Sequence, residues 1–202
     1  MRLVIVPCCC ALVACQPVHH TAGFWFEDDA IALPPLEAAK IGGPLTVAER
    51  ESIERTARDE VAGAFSAFDL VVDGDRRAFW RVRVMQEIEP WPRALPSSGE
   101  SRPLGPLGGV GAVDFAVVST TALRFAPSGA PRAAIVDAIG RGLGRVAAHE
   151  FGHQILGGGP HNDRDENSYE FGSPDRAARY YGRLQWTTWR APLEAKLGAR
   201  VQ

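Results

Sequence analysis

The sequence predicts an α+β domain, and three observations carry that expectation. A capped amphipathic helix opens at Thr46. Strand-like runs bounded by turn residues occupy the middle of the chain, at 68–72, 78–88 and 113–119. A second long helix runs from Ala133 to Leu156 and is stopped by Gly157-Gly158-Gly159-Pro160.

The first helix has a local start signal. Thr46-Val47-Ala48-Glu49 offers a cap hydroxyl and, three residues on, a carboxylate that can reach back to the cap. Ile53, Ala57, Val61, Ala64, Phe65 and Phe68 recur at spacings of three and four, one apolar stripe that predicts helix to about Ala67. The run 68–72 ends at the turn signal Asp73-Gly74-Asp75, and in 78–88 Phe79, Arg81, Arg83 and Met85 alternate with Trp80, Val82 and Val84. More than half of the residues from Pro90 to Gly111 are Pro, Gly or Ser, which predicts a long surface loop. Gly140, Gly142 and Gly144 lie inside the second long helix, where each costs about 1 kcal/mol relative to alanine. Ser173-Pro174-Asp175 carries a cap and a first-turn proline and predicts another helix start. Trp186, Trp189 and Leu193 read as a tail that docks on the core.

The 202 residues hold 22 basic and 24 acidic side chains, and the net charge of −2 argues against a nucleic-acid partner. A monomer is expected. Nowhere is there an apolar run of about 18 residues, the length of a membrane-spanning helix. All four cysteines, Cys8, Cys9, Cys10 and Cys15, lie in the first fifteen residues. Arg2 followed by the apolar stretch 3–12 reads as an export signal. Leu12-Val13-Ala14-Cys15 resembles the lipobox of bacterial lipoproteins, and that resemblance implies cleavage before Cys15 and acylation of its thiol. The expected organisation is therefore a signal peptide over 1–14, a lipid-anchored tether and amino-terminal arm over 15–44, and a domain over 45–202. The arm is expected to bring a short strand against the core, with His19 and His20 in the solvated tether. The implied location is the bacterial cell envelope, held to a membrane through Cys15; Gln16 after it points to an outer membrane or the cell surface.

Three of the five histidines fall within thirteen residues. His149-Glu150-Phe151-Gly152-His153 is an H-E-x-x-H motif on a predicted helix. Residues four apart are rotated by only about 40°, so both imidazoles leave one face a turn apart and can share a metal. Glu150, about 100° round from His149, is poorly placed as a ligand and well placed to act as general base on a water at the metal. A catalytic zinc needs a third protein ligand. The glycine run permits a left-handed reversal that returns the chain toward the pair, and His161 is the first strong donor on the returning segment. Asp163 and Asp165 are oxygen-donor competitors, and Glu166 or Glu170 would serve an arrangement with a later acid.

On these residues the chain resembles the metzincin zinc metallopeptidases, and among them the matrixin-like branch. His149 to His153 matches the opening of their signature H-E-x-x-H-x-x-G-x-x-H. The resemblance implies zinc on His149, His153 and His161, Glu150 as catalytic base, and a peptide or protein substrate lying extended along an edge strand, for which 113–119 or the glycine-rich stretch before it is the candidate. It implies a small, twisted, mostly parallel sheet flanked by the long amino-terminal helix and the helix carrying the motif. Asp165-Glu166-Asn167-Ser168 looks like the lead into the family's methionine turn, and Gly182 like the end of its closing helix. Two departures stand out. Seven residues separate His153 from His161 where the family has five, and Tyr169 stands where the matrixin pattern has its methionine. Tyr169 is thus a candidate for packing beneath the metal or for approaching the oxyanion, beside the plainer role of a core tyrosine.

Overall fold

The structure, a computed structural model, describes residues 19–89, 97–173 and 175–200. The expected signal peptide and Cys15 lie outside the described residues.

The fold is α+β. Five strands, β1 (His20–Phe26), β2 (Leu70–Asp73), β3 (Trp80–Met85), β4 (Gly99–Pro103) and β5 (Gly109–Asp114), form one sheet in the order β2-β1-β3-β5-β4. All neighbours run parallel except the edge strand β4, which is antiparallel to β5. Among the described residues six helices accompany the sheet: α1 (Pro35–Lys40), α2 (Val47–Ala64), α3 (Phe115–Arg124), α4 (Arg132–Leu156), α5 (Ala178–Tyr181) and α6 (Arg190–Leu197). Among the described residues no helix is long and apolar enough to cross a membrane.

The short strand expected within 16–44 is β1, and it lies inside the sheet with a neighbour on either side. His20 opens it with its ring 5.6 Å from that of Trp80, so it belongs to the fold and not to a tether; His19 beside it pairs with Asp69. In β3 the alternation read from sequence is realised, with Trp80, Val82 and Val84 buried.

α2 begins with the expected capping box: Glu49 N donates to Thr46 Oγ1 at 3.2 Å and Thr46 N donates to the Glu49 carboxylate at 2.8 Å. It ends at Ala64, three residues early, where the backbone turns and Ser66 Oγ donates to the Gly63 carbonyl. Its stripe Ile53-Ala57-Val61 packs on α4, and the glycines that looked costly in α4 explain how closely. A Cβ on Gly140 would stand 2.8 Å from Thr56 Cβ, and one on Gly144 would overlap the Ala57 carbonyl oxygen. Losing helix propensity at these positions permits a close helix crossing, which buries α4 between α2 and the sheet.

Three expectations are corrected. The strand expected over 113–119 ends at Asp114, and helix begins at Phe115, because Asp114 Oδ1 accepts from Val117 N at 2.8 Å and caps α3. The β-branched residues Val117, Val118 and Thr121 suggest strand, but the cap and burial of Val118 and Ala122 override that preference. The loop expected over 90–111 contains β4 and the start of β5, a hairpin closed by the 3₁₀ turn Gly105–Leu107. Its glycines are there for space, since a Cβ on Gly109 would lie 2.5 Å from Gln154 Cγ. Finally, no helix starts at Ser173: Asp175 N donates to Ser173 Oγ in a local turn and α5 begins only at Ala178; Pro174 lies outside the described residues.

Candidate metal centre

α4 brings His149, Glu150 and His153 to the sheet near its carboxyl end. One residue on, Gln154 locks that end in place: its side-chain carbonyl accepts from Arg81 N at 3.1 Å and its amide donates to Arg81 O at 3.0 Å. The helix then stops as the glycines require. Gly157 takes the left-handed conformation (φ 72°), and Gly158 N donates to His153 O at 2.7 Å.

The returning segment is held from two sides. Pro160 O accepts from Trp189 Nε1 at 3.1 Å, and Asn162 N donates to Glu170 O at 3.1 Å. His161, between them, points back at the helix. His153 Nε2 lies 3.1 Å from His149 Nε2 and 3.0 Å from His161 Nε2. The three histidines together could hold a metal ion.

Burial and hydrogen bonding prepare the donors. His149 Nδ1 donates to the Tyr169 carbonyl at 2.7 Å, so the lone pair is on Nε2, facing the other rings. Burial, and then the charge of Arg179, hold the His149 pKa well below the usual range; burial and His161 bring His153 down to about 4. Both imidazoles are therefore neutral near pH 7, as metal ligands must be.

Glu150 is buried beside them, and desolvation pushes its pKa up to about 8 against the opposing pull of Arg179 and of a hydrogen bond from Ser101. A cation on the histidines would pull it back down. The carboxylate lies directly beneath the edge strand: a Cβ on Gly99 would stand 2.6 Å from Glu150 Oε1. An open cleft of about 450 Å³ joins Glu150 and the three histidines to β4 and Arg179. The free edge that borders the cleft is therefore β4. Both substrate-edge candidates are corrected: Val113 and Asp114, and the glycine-rich stretch just before them, lie in β5, an inner strand, while the edge is Gly99–Pro103, within the stretch expected as a loop.

The other acids named from sequence are used elsewhere. Glu170 is fully buried and accepts from Thr187 N at 2.7 Å and Trp189 N at 2.8 Å. Asp165 Oδ1 accepts from Asn167 N at 2.9 Å, and Asp163 and Glu166 are exposed. Among the described residues none of these joins the histidine group.

Tyr169 serves the site through its backbone carbonyl. Its ring is buried 4.7 Å from that of Trp186, and burial raises its hydroxyl pKa to about 12. The aromatic surface against the histidines is Trp189, stacked on His149 at 5.7 Å and edge-on to His153 at 4.8 Å. Sequence reasoning placed Trp189 in a core-docking tail, which its burial bears out, but gave it no part in the site. It also missed Arg179, whose guanidinium is buried at the cleft with Nη1 3.3 Å from Ser98 Oγ and Nη2 donating to Phe171 O at 3.1 Å. Gly172 was overlooked too: a Cβ there would overlap the His161 ring. No local pattern announces any of these, since each depends on a contact between distant segments.

No protein-family model matches the chain, and no curated protein matches it.

Proposed function

We propose that this chain is a zinc-dependent endopeptidase of the metzincin kind, tethered to a bacterial envelope membrane by a lipid on Cys15. The observation that carries the reading is the convergence of three imidazole nitrogens beside a buried carboxylate, in a cleft bordered by a strand edge.

The donor set fits zinc. Nitrogens about 2.0–2.1 Å from a shared zinc at tetrahedral angles stand about 3.3–3.4 Å apart; His153 lies 3.1 and 3.0 Å from its two neighbours, and all three donors lie within 4.8 Å of one another. With three protein donors a fourth position stays open, as a catalytic site requires and a structural site does not. Zinc on His149, His153 and His161 would supply Lewis-acid polarisation of a scissile carbonyl and acidify the attacking water. Glu150, buried beside the three histidines, would serve as the base that accepts a proton from an attacking water and returns it to the leaving nitrogen. A peptide adds to the free edge of β4 by backbone hydrogen bonds, which aligns its carbonyl over Glu150.

The test is metal analysis together with hydrolysis of a peptide library by purified protein. Glu150→Gln should keep its zinc and lose turnover by about 10²–10⁴-fold, the worth of a general base. Full turnover in that variant would sink the base assignment. A site that takes up metal but binds no hydroxamate would indicate a structural ion in a non-catalytic lipoprotein domain.

A further inference from the structure

The end of the sheet where the parallel strands begin carries an apolar tip. Ala22 pairs with Trp80, Trp80 with Gly109 and Gly109 with Pro103, so Thr21, Phe79, Gly108 and Leu104 stand in one row. Leu104 N donates to Gly108 O at 2.7 Å, and the Phe79 ring lies against Gly108. The 3₁₀ turn Gly105–Leu107 projects beyond the row. Phe79 is 45%, Leu104 41% and Leu107 74% exposed, and they stand together at one end of the sheet rather than scattered singly. Arg77 stands two residues before Phe79 and is exposed; Arg102, two before Leu104 and also exposed, lines the adjoining face of the sheet with Arg76, Arg81 and Arg83.

We propose that this tip seats on a lipid bilayer surface. The inference rests on the lipid anchor at Cys15 proposed above. Five residues lead from Cys15 to His20, and at about 3.3–3.6 Å per residue an acylated Cys15 lies within about 18 Å of the start of β1. A bilayer within that reach can meet the strand-start end of the sheet, where β1 begins. Apolar side chains next to a face that carries several arginines match the acyl boundary and anionic headgroups found there. Pro103, next to Leu104, lines the same cleft as His153 and Glu150. Docking at the tip thus holds the cleft beside the lipid surface, and the substrates it favours are peptide segments lying at that surface.

The test uses the full acylated chain in phosphatidylethanolamine–phosphatidylglycerol vesicles. With Cys15 acylated and the signal removed, an introduced cysteine is the one free thiol. Leu107→Cys carries an environment-sensitive fluorophore in one preparation; Leu36→Cys carries it in another, being exposed but following the opposite end of β1. Lipids bearing a nitroxide on the acyl chain should extinguish most of the fluorescence at position 107 and leave position 36 bright. Equal quenching at the two positions would overturn the proposal. So would concentration-dependent self-association in detergent that Leu107→Asp abolishes, since a second copy would then cover the tip. Mass spectrometry of Cys15 separates the two ideas. If Cys15 carries no lipid, quenching at 107 in a chain begun at residue 15 with Cys15→Ser and given vesicles keeps the tip and removes the anchor, whereas an acylated chain without quenching keeps the anchor and removes the tip.

Discussion

His149 Nδ1 lies 2.7 Å from the carbonyl oxygen of Tyr169, twenty residues further along the chain. That bond fixes the tautomer of His149 and aims Nε2 at the other two imidazoles. Because Tyr169 acts through its backbone, Tyr169→Phe should bind metal as tightly as the wild type, by competition with a chromophoric chelator. A variant with its metal intact but kcat strongly reduced would assign the hydroxyl a part in turnover.

Gly172 backs the His161 ring so closely that any side chain must push it. Gly172→Ala should therefore weaken metal binding by about 10–100-fold, the range for losing outer-shell support, while circular dichroism stays that of the wild type. Unchanged affinity would mean that His161 is not held by this contact.

Gly144→Ala sets helix propensity against packing. Alanine gains about 1 kcal/mol in a helix interior, but its Cβ would overlap the Ala57 carbonyl oxygen in α2. Backbone cannot step aside as a side chain can, and overpacking costs about 1–3 kcal/mol. The net expectation is destabilisation, read from the midpoint of urea unfolding. A stabilised variant would show that the two helices separate readily.

Arg132 holds both Glu49 oxygens, at 2.6 and 2.9 Å, and the carbonyls of Ile41, Gly43 and Pro44. Its hydrogen bond, and then that of the Thr46 backbone, bring the Glu49 pKa down from 4.5 to about 2. A carboxylate whose pKa is lower folded than unfolded stabilises the fold above the unfolded value and loses that contribution as pH falls through the folded one. Wild type should thus exceed Glu49→Gln in stability at neutral pH, with the gap closing between about pH 4.5 and 2. The pair is solvent-facing, so the gap should be small and shrink further in salt. A gap that is constant with pH would mean that charge plays no part.

Much of this protein was legible one element at a time. The cap at Thr46, the alternation in β3, the helix carrying His149 and His153 and the glycine stop after it all follow from neighbours within a turn or two, where 3.6- and 2-residue periods and glycine's freedom at φ 72° act. Other features were decided only when distant segments met. Phe115 to Arg124 carries strand formers yet is helix, because its Asp114 cap and buried face outweigh propensity. β4 hides in a stretch rich in turn residues, because pairing with β5 supplies the backbone partners that its side chains do not signal. The proposed site divides along the same line. Helix geometry alone brings two imidazoles together. His161 joins them only because Trp189 and Glu170, from later in the chain, hold the returning segment by hydrogen bonds to Pro160 and Asn162.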